Sequence, residues 1–461
     1  MIISPLVAAM AGQPLLRMGA LEDALISFQN ARSEQDFSAE MTALEAILEI
    51  EPWRGDLWER LGRLYLDTHQ EVRAVNAFNE AARLDQLDDQ GRIWLADALI
   101  SSGSGEEGQD ILENLETADI FMLSQAATLL RQNQYLDSCR EVLQRAISLE
   151  PEIEAIHYQL GVLLMSTQST EALAHLGKVV DDEQLMVKAQ FLAESIRALE
   201  SMDQDSSFYI LNGQALSQVG EWDAARESFQ LGLEIEPENG TVWALLSEAE
   251  QQIGMDVDGQ MSLEKALALD PQGEIANGIA GLYHRRQGDT ELALHYLEIA
   301  QMANPQLAVW RIEKGHTLAD AGRLEEALSE YKSATQVDPE GLQSWVALAK
   351  FTLAHNYLVE EEGVSAARKA LLIAPDNPVY LDLLGTAYMT LGDIDSAERF
   401  FLQALERDPD EAAILIHLGQ ASLIRGDKEI AFDYLRRAAA SARDARLQEL
   451  AEQLLEDYGA R

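Results

Sequence analysis

The chain has 461 residues, 47% of them apolar, and a formal net charge of −45 at neutral pH. This composition supplies ample material for a core and excludes disorder, while the negative field disfavours nucleic acid and anionic lipid and favours a basic partner; an acidic or salt-adapted host would account for the same charge. The single cysteine, Cys139, excludes an intrachain disulfide and a cysteine-based metal cluster, and its place in the pattern suits a buried small hydrophobe.

In chain order, MIISPLVAAMA carries an apolar run without a basic flank and is expected to pack as an N-terminal cap rather than act as a leader. No stretch approaches the roughly 20 apolar residues that span a bilayer, so no membrane insertion and a cytoplasmic location are expected. Residues 14–52 read as a worn helix pair closing on LEIEP, and Trp58, Leu61, Gly62, Tyr65, Ala74, Phe78 and Ala81 mark a sharper one. Leu95, Leu99, Gly103 and Leu112 fit a further pair, as do Ala127, Leu143, Ala146 and Pro151, and then Leu160, Gly161, Leu164 and Leu176. Residues 184–205 break the register: EQLMVKAQFLAESIRALE is helical by period and SMDQDSS has a loop's composition. An extra helix dividing two blocks is expected there.

Beyond it the beat is regular. Pro237, Pro271, Pro305 and Pro339 fall 34 residues apart, Pro375 follows after 36 and Pro409 after 34. The two added residues lie around HNYLVEEEG, where Glu360, Glu361 and Glu362 read as solvated loop charge. A period of this length describes a stack of one supersecondary unit, with function residing in a surface. In the unit ending at Pro409, Leu384 and Tyr388 share one helical face, and Gly385 between them lets the partner helix approach. Gly392 is expected to end the first helix in the left-handed conformation, Asp395 or Ser396 to cap the second, and Pro409 to open the next connection. At the end of the chain, Leu447, Leu450 and Leu454 are placed on one face of a capping helix.

The series Leu381, Leu384, Gly385, Tyr388, Ala397, Phe401, Ala404 and Pro409 repeats the spacing of the Trp58 unit, and both resemble the tetratricopeptide repeat pattern W-x2-L-G-x2-Y, Ala, Phe, Ala, Pro. The resemblance runs over nearly the whole chain as about eleven to twelve repeats. It implies an all-α fold, a right-handed α-α superhelical solenoid. The expected divisions are an N-terminal block over 1–183, the extra helix and linker over 184–205, a C-terminal block over 206–443 and a cap over 444–461.

The resemblance further implies that first helices line a concave groove and that positions 2, 5, 9, 12 and 13 of each repeat face a bound peptide. Those positions hold Tyr158, Val162 and Met165 in the first block. In the second they include Leu282, Arg285, Arg286, Ile312, His316, Val346, Lys350, Leu353, Asp382, Met389, Ile416 and Gln420. Their acidic members are Asp56, Glu59, Asp67, Asp97, Glu248, Asp320 and Asp382; the basic ones are Arg63, Arg131, Arg285, Arg286 and Lys350. The acidity of the chain is therefore not concentrated in the groove, and a basic partner surface would lie outside it. The Lys/Asn run by which one subclass clamps a C-terminal carboxylate is absent, with Glu59 and Arg63, or Asp382 and Thr386, in its place.

No His-Glu-x-x-His, Walker or dinucleotide motif occurs, so neither metal nor cofactor is expected. His284 and His295 are assigned to the two helices of one pair, as ordinary surface residues. The expected function is a non-enzymatic scaffold holding a peptide segment or partner protein. The alternative is a regulatory sensor in which a small ligand changes the angle between two blocks about the 184–205 helix.

Overall fold

The computed structural model describes residues 5–459 other than 35, 201 and 443, with side chains from residue 19 onward. The cap expected of the opening residues lies outside the described side chains. Among the described residues the chain forms 26 α-helices and no strand. Twelve helix pairs account for all but two of them, Glu183–Leu199 and Ala445–Gly459. The all-α assignment and the repeat count agree with the expectation.

One contact explains the pairs. A Cβ added at Gly385 would stand 2.5 Å from the Phe401 ring, and one at Gly62 or Gly315 would stand 2.8 Å from Phe78 or Tyr331. Gly213 meets Phe229 in the same way, always sixteen residues along the chain. The four rings are almost wholly excluded from solvent. The missing side chain is what lets an aromatic ring pack directly against the first helix, and burying such a ring contributes about 1.5–3 kcal/mol.

The connections follow as simply. Gly392 (φ +80°) and Gly426 (φ +95°) take the left-handed conformation just after a first helix, freeing the chain to reverse. His69, Gln134 and Asn356 occupy the same place with positive φ and carry the strain a side chain brings there. The cap expected at Asp395 or Ser396 is instead Asp393, whose carboxylate accepts from the Ser396 amide at 3.1 Å; Asp395 and Ser396 already lie inside helix Ile394–Arg407. Two proline turns are also stapled by a tryptophan. Trp58 Nε1 donates to the Pro52 carbonyl at 3.1 Å and Trp345 Nε1 to that of Pro339 at 2.8 Å.

Residues Met1–Pro237 form one compact unit and Glu238–Arg461 another. The expected extra helix exists as Glu183–Leu199, but the units do not divide there. It buries Ala189, Leu192, Ala193, Ile196 and Leu199 and packs on helices Glu154–Leu164, Ser169–Leu176 and Ser206–Gln218. With neighbours before and after it in sequence, the helix joins them into the first unit rather than parting two blocks.

In the second unit the two-residue insertion becomes one wide helical turn, Val359–Gly363, entered through Leu358 at φ +50°. Glu362 is not free loop charge, since its carboxylate accepts from Lys332 Nζ at 2.6 Å. The closing helix Ala445–Gly459 buries Ala451 and packs Leu447, Leu454 and Leu455 on helix Lys428–Ser441. Leu450 is not on that face and is 38% exposed: the contact rotates toward residues 447, 451 and 454–455.

Candidate partner-binding surface

First helices of neighbouring pairs touch one another along much of each unit and so share a surface. In the first unit this surface runs over helices Gly55–Asp67, Asp89–Ser101 and Ile120–Gln132. Between the last two lies a groove of about 450 Å³ lined by Gln90, Ile93, Trp94, Asp97, Phe121, Ser124, Gln125, Thr128 and Leu129. Helical period places Gln90, Ile93 and Asp97 on one helix opposite Phe121, Ser124 and Thr128 on the next.

The groove is part apolar and part polar. The Phe121 ring is 67% exposed, far more than packing alone leaves an aromatic side chain. The Arg63 guanidinium sits 4.7 Å from the centroid of Trp94 and holds its ring at the groove's edge. Burial pushes the Asp97 carboxyl above its ordinary range, with no cation opposing it. Burial also raises Glu59, followed by repulsion from Asp88. No group among the described residues donates to Gln125 Oε1, although that atom is buried.

The expected first-block residues Tyr158, Val162 and Met165 are buried, at 5%, 1% and 0% exposure, and offer a partner no surface. The chain itself covers them. Glu221, at the start of helix Trp222–Ile235, accepts from Arg131 Nη1 at 3.0 Å and from the Tyr158 hydroxyl at 3.1 Å. Deeper in the contact, Asn212 Nδ2 donates to the Ser166 and Ser228 hydroxyls, both at 3.0 Å. Helix Trp222–Ile235 consequently buries seven residues, whereas the second helix Ile394–Arg407 buries three. The side chains that would face a peptide between 154 and 166 are spent on this clasp.

In the second unit, Ile312, Val346 and Ile416 are likewise buried, Ile312 and Ile416 within core clusters. Leu353 and Met389 are partly buried against the core clusters. Leu282 and Gln420 are half-buried, and Lys350 is exposed. The charged members mostly bridge neighbouring first helices. Arg285 binds Glu313 at 2.6 Å and lies 3.5 Å from Asp320, Arg286 donates to Gln251, and Asp382 meets His417 Nδ1 at 2.7 Å. His316 Nδ1 pairs with the Tyr331 hydroxyl at 2.7 Å, and burial lowers its basicity.

The remaining sites carry no chemistry of their own. Cys139 is buried with Sγ 3.2 Å from the Ala127 carbonyl, and burial pushes its thiol up to about 12. His284 and His295 do lie on the two helices of one pair, and His284 stacks on Tyr296. Among the described residues no group of three metal-ligating side chains occurs, and no helix is long and apolar enough to cross a membrane.

The groove residues Trp94, Phe121 and Gln125 were not singled out from sequence. The signal available was the worn register of residues 89–132, which puts Gln90, Ile93, Asp97, Phe121, Ser124 and Thr128 at the positions that face a peptide in the resembled family.

Comparison with known proteins finds one family match and several distant likenesses. Residues 383–446 match the family model described as tetratricopeptide repeat. Protein FlbA of Caulobacter vibrioides is 24% identical over 229 residues, 50% of this chain, which spans only 35% of that relative's length. Yeast Tom70 superposes with a TM-score of 0.45 at 13% identity, covering 97% of this chain and 96% of that one. Cut9 in the APC/C hetero-tetramer Cut9–Hcn1 superposes with a TM-score of 0.44 at 14% identity, covering 95% and 96%. Residues 383–446 thus match the tetratricopeptide repeat family, and the glycine-on-ring contact found there at Gly385 recurs outside that segment at Gly62, Gly213 and Gly315.

Proposed function

We propose that the chain is a non-enzymatic scaffold that holds a protein partner on the first-helix surface of its first unit, in the groove between helices Asp89–Ser101 and Ile120–Gln132. The observation that carries this reading is the exposed Phe121 ring beside Trp94 in an open groove, while the equivalent positions at 154–166 are already filled. An exposed aromatic anchor in a concave apolar site is the kind of feature that dominates binding energy at protein interfaces. The mixed lining suits an extended or helical segment with one apolar anchor rather than a flat, wholly polar contact.

A photo-crosslinking amino acid placed at Phe121 in the source cell tests the reading, with Val72 as control because it is 66% exposed on a second helix of the same unit. Crosslinked protein at 121 and not at 72 is expected. The captured protein, purified, should then lose about tenfold or more in affinity for the Phe121→Ala chain, as aromatic truncations at the centre of an interface do. Equal capture at both positions, or full affinity for Phe121→Ala, would contradict it.

A further inference from the structure

We infer that this groove selects a segment carrying lysine or arginine beside its apolar anchor. The inference rests on the reading proposed above and adds the chemistry of the partner.

Three acceptors on this surface face no cation: the Asp97 carboxylate, which accepts from the Ser101 side chain, the Glu59 carboxylate, which accepts from the Asp88 amide, and Gln125 Oε1. Asp97 is half-buried and has no cation within ion-pair distance among the described residues. Glu59 is crowded by Asp88 and Asp56, with no cation to relieve it. Gln125 Oε1 is buried and unpartnered.

The neighbouring bases are already committed. Arg54 binds Asp56 at 2.7 Å, Arg63 stacks on Trp94 and lies 3.9 Å from Asp67, and Arg131 is held by Glu221. The surface is therefore short of donors, and a bound segment must bring them.

The alternatives are disfavoured by the same groups. A purely apolar segment would strip water from the Asp97 carboxylate and leave it with the Ser101 side chain and no cation, at a cost of about 1–3 kcal/mol. An acidic segment would add a like charge beside Asp97 and Glu59. A guanidinium or ammonium group answers both acceptors, while Ile93, Trp94, Phe121 and Leu129 take the adjoining apolar side chain. The preference is local, because a first helix of the second unit presents an exposed base of its own, Lys350.

A random 12-residue peptide library displayed on phage, selected on the full chain, tests this. The most enriched sequence is then synthesised with a fluorophore and titrated by anisotropy. Enriched sequences should carry Lys or Arg next to a large apolar residue. Asp97→Asn, which keeps the shape, should weaken the synthetic peptide about tenfold, and raising the salt should narrow that gap. Phe121→Ala should abolish binding, and both variants should unfold thermally like the parent.

Acidic or uncharged consensus sequences, or no enrichment, overturn the inference. Binding lost in Phe121→Ala but indifferent to Asp97→Asn refutes the cation preference and leaves the groove as the partner site. Binding indifferent to both refutes the groove as well.

Discussion

The glycine-on-ring contact makes a quantitative prediction at Gly385. Replacing this glycine by alanine should raise helix propensity by about 1 kcal/mol, because Gly385 lies inside helix Pro378–Thr390. The new methyl would, however, sit 2.5 Å from the ring of Phe401, itself fully buried and unable to swing into solvent. Overpacking of this kind costs about 1–3 kcal/mol, so Gly385→Ala should be destabilising overall by up to about 2 kcal/mol.

The chain supplies its own control. In three units the glycine position holds Ala or Ser and the residue sixteen positions later is Leu: Ala96 with Leu112, Ala127 with Leu143, Ser247 with Leu263. Adding Phe401→Leu to Gly385→Ala should therefore recover much of the loss, giving a coupling of about 1–2 kcal/mol between the two sites. Because a repeat array need not unfold in one step, the assay is native-state hydrogen exchange read over residues 378–407. An alanine variant as protected as the parent, with no coupling to Phe401→Leu, would refute the packing argument.

Three further outcomes are expected. Asp393→Ala should cost helix Ile394–Arg407 about 1 kcal/mol, whereas Asp395→Ala should be nearly neutral; hydrogen exchange of its first turn separates the two. Arg131→Ala leaves Glu221 poorly solvated and should loosen helix Trp222–Ile235 by about 2–4 kcal/mol, read as faster exchange at 222–235 and 154–166 together. His175 lies with Nδ1 2.8 Å from that of buried His157, and its basicity is lowered by burial and then by His157. Its neutral form is thus favoured in the fold. The stabilisation should be complete above the ordinary histidine value of about 6.5 and be lost as pH falls below it. Urea midpoints between pH 7.5 and 5 should fall for the parent and fall less for His175→Gln.

Local chemistry made most of the fold legible. Gly385, Gly392 and Pro409 each act within a few residues of their own position or across one pair, so their spacing reveals their roles. Trp58 and Trp345 were readable as pattern markers, but the hydrogen bond each makes to a proline carbonyl is geometric and leaves no trace in spacing. The candidate site was legible only in part. Repeat positions identify Asp97, Phe121 and Thr128 as facing residues just as they identify Tyr158 and Val162, and cannot say which are covered. That depends on Glu221, 90 residues from Arg131. Such a contact joins residues on either side of helix Glu183–Leu199 in the sequence, and hydrophobic period carries no information about it. The misplaced Leu450 is a smaller case, in which the partner helix selected a neighbouring stripe of an amphipathic helix.

The clasp of helix Trp222–Ile235 on residues 131–166 also bears on how the chain is made. In a plain repeat array each unit needs only its neighbours, so growth and unfolding proceed pair by pair from any point. Here the segment 154–166 stays uncovered on the ribosome until some 70 more residues have emerged, a delay of several seconds at ordinary translation rates. The first unit therefore closes late and through a long loop, which slows folding and binds its last three pairs into one cooperative block. A stop anywhere between 166 and 221 would release a chain whose apolar interior is still open to solvent, a natural substrate for chaperones and proteases.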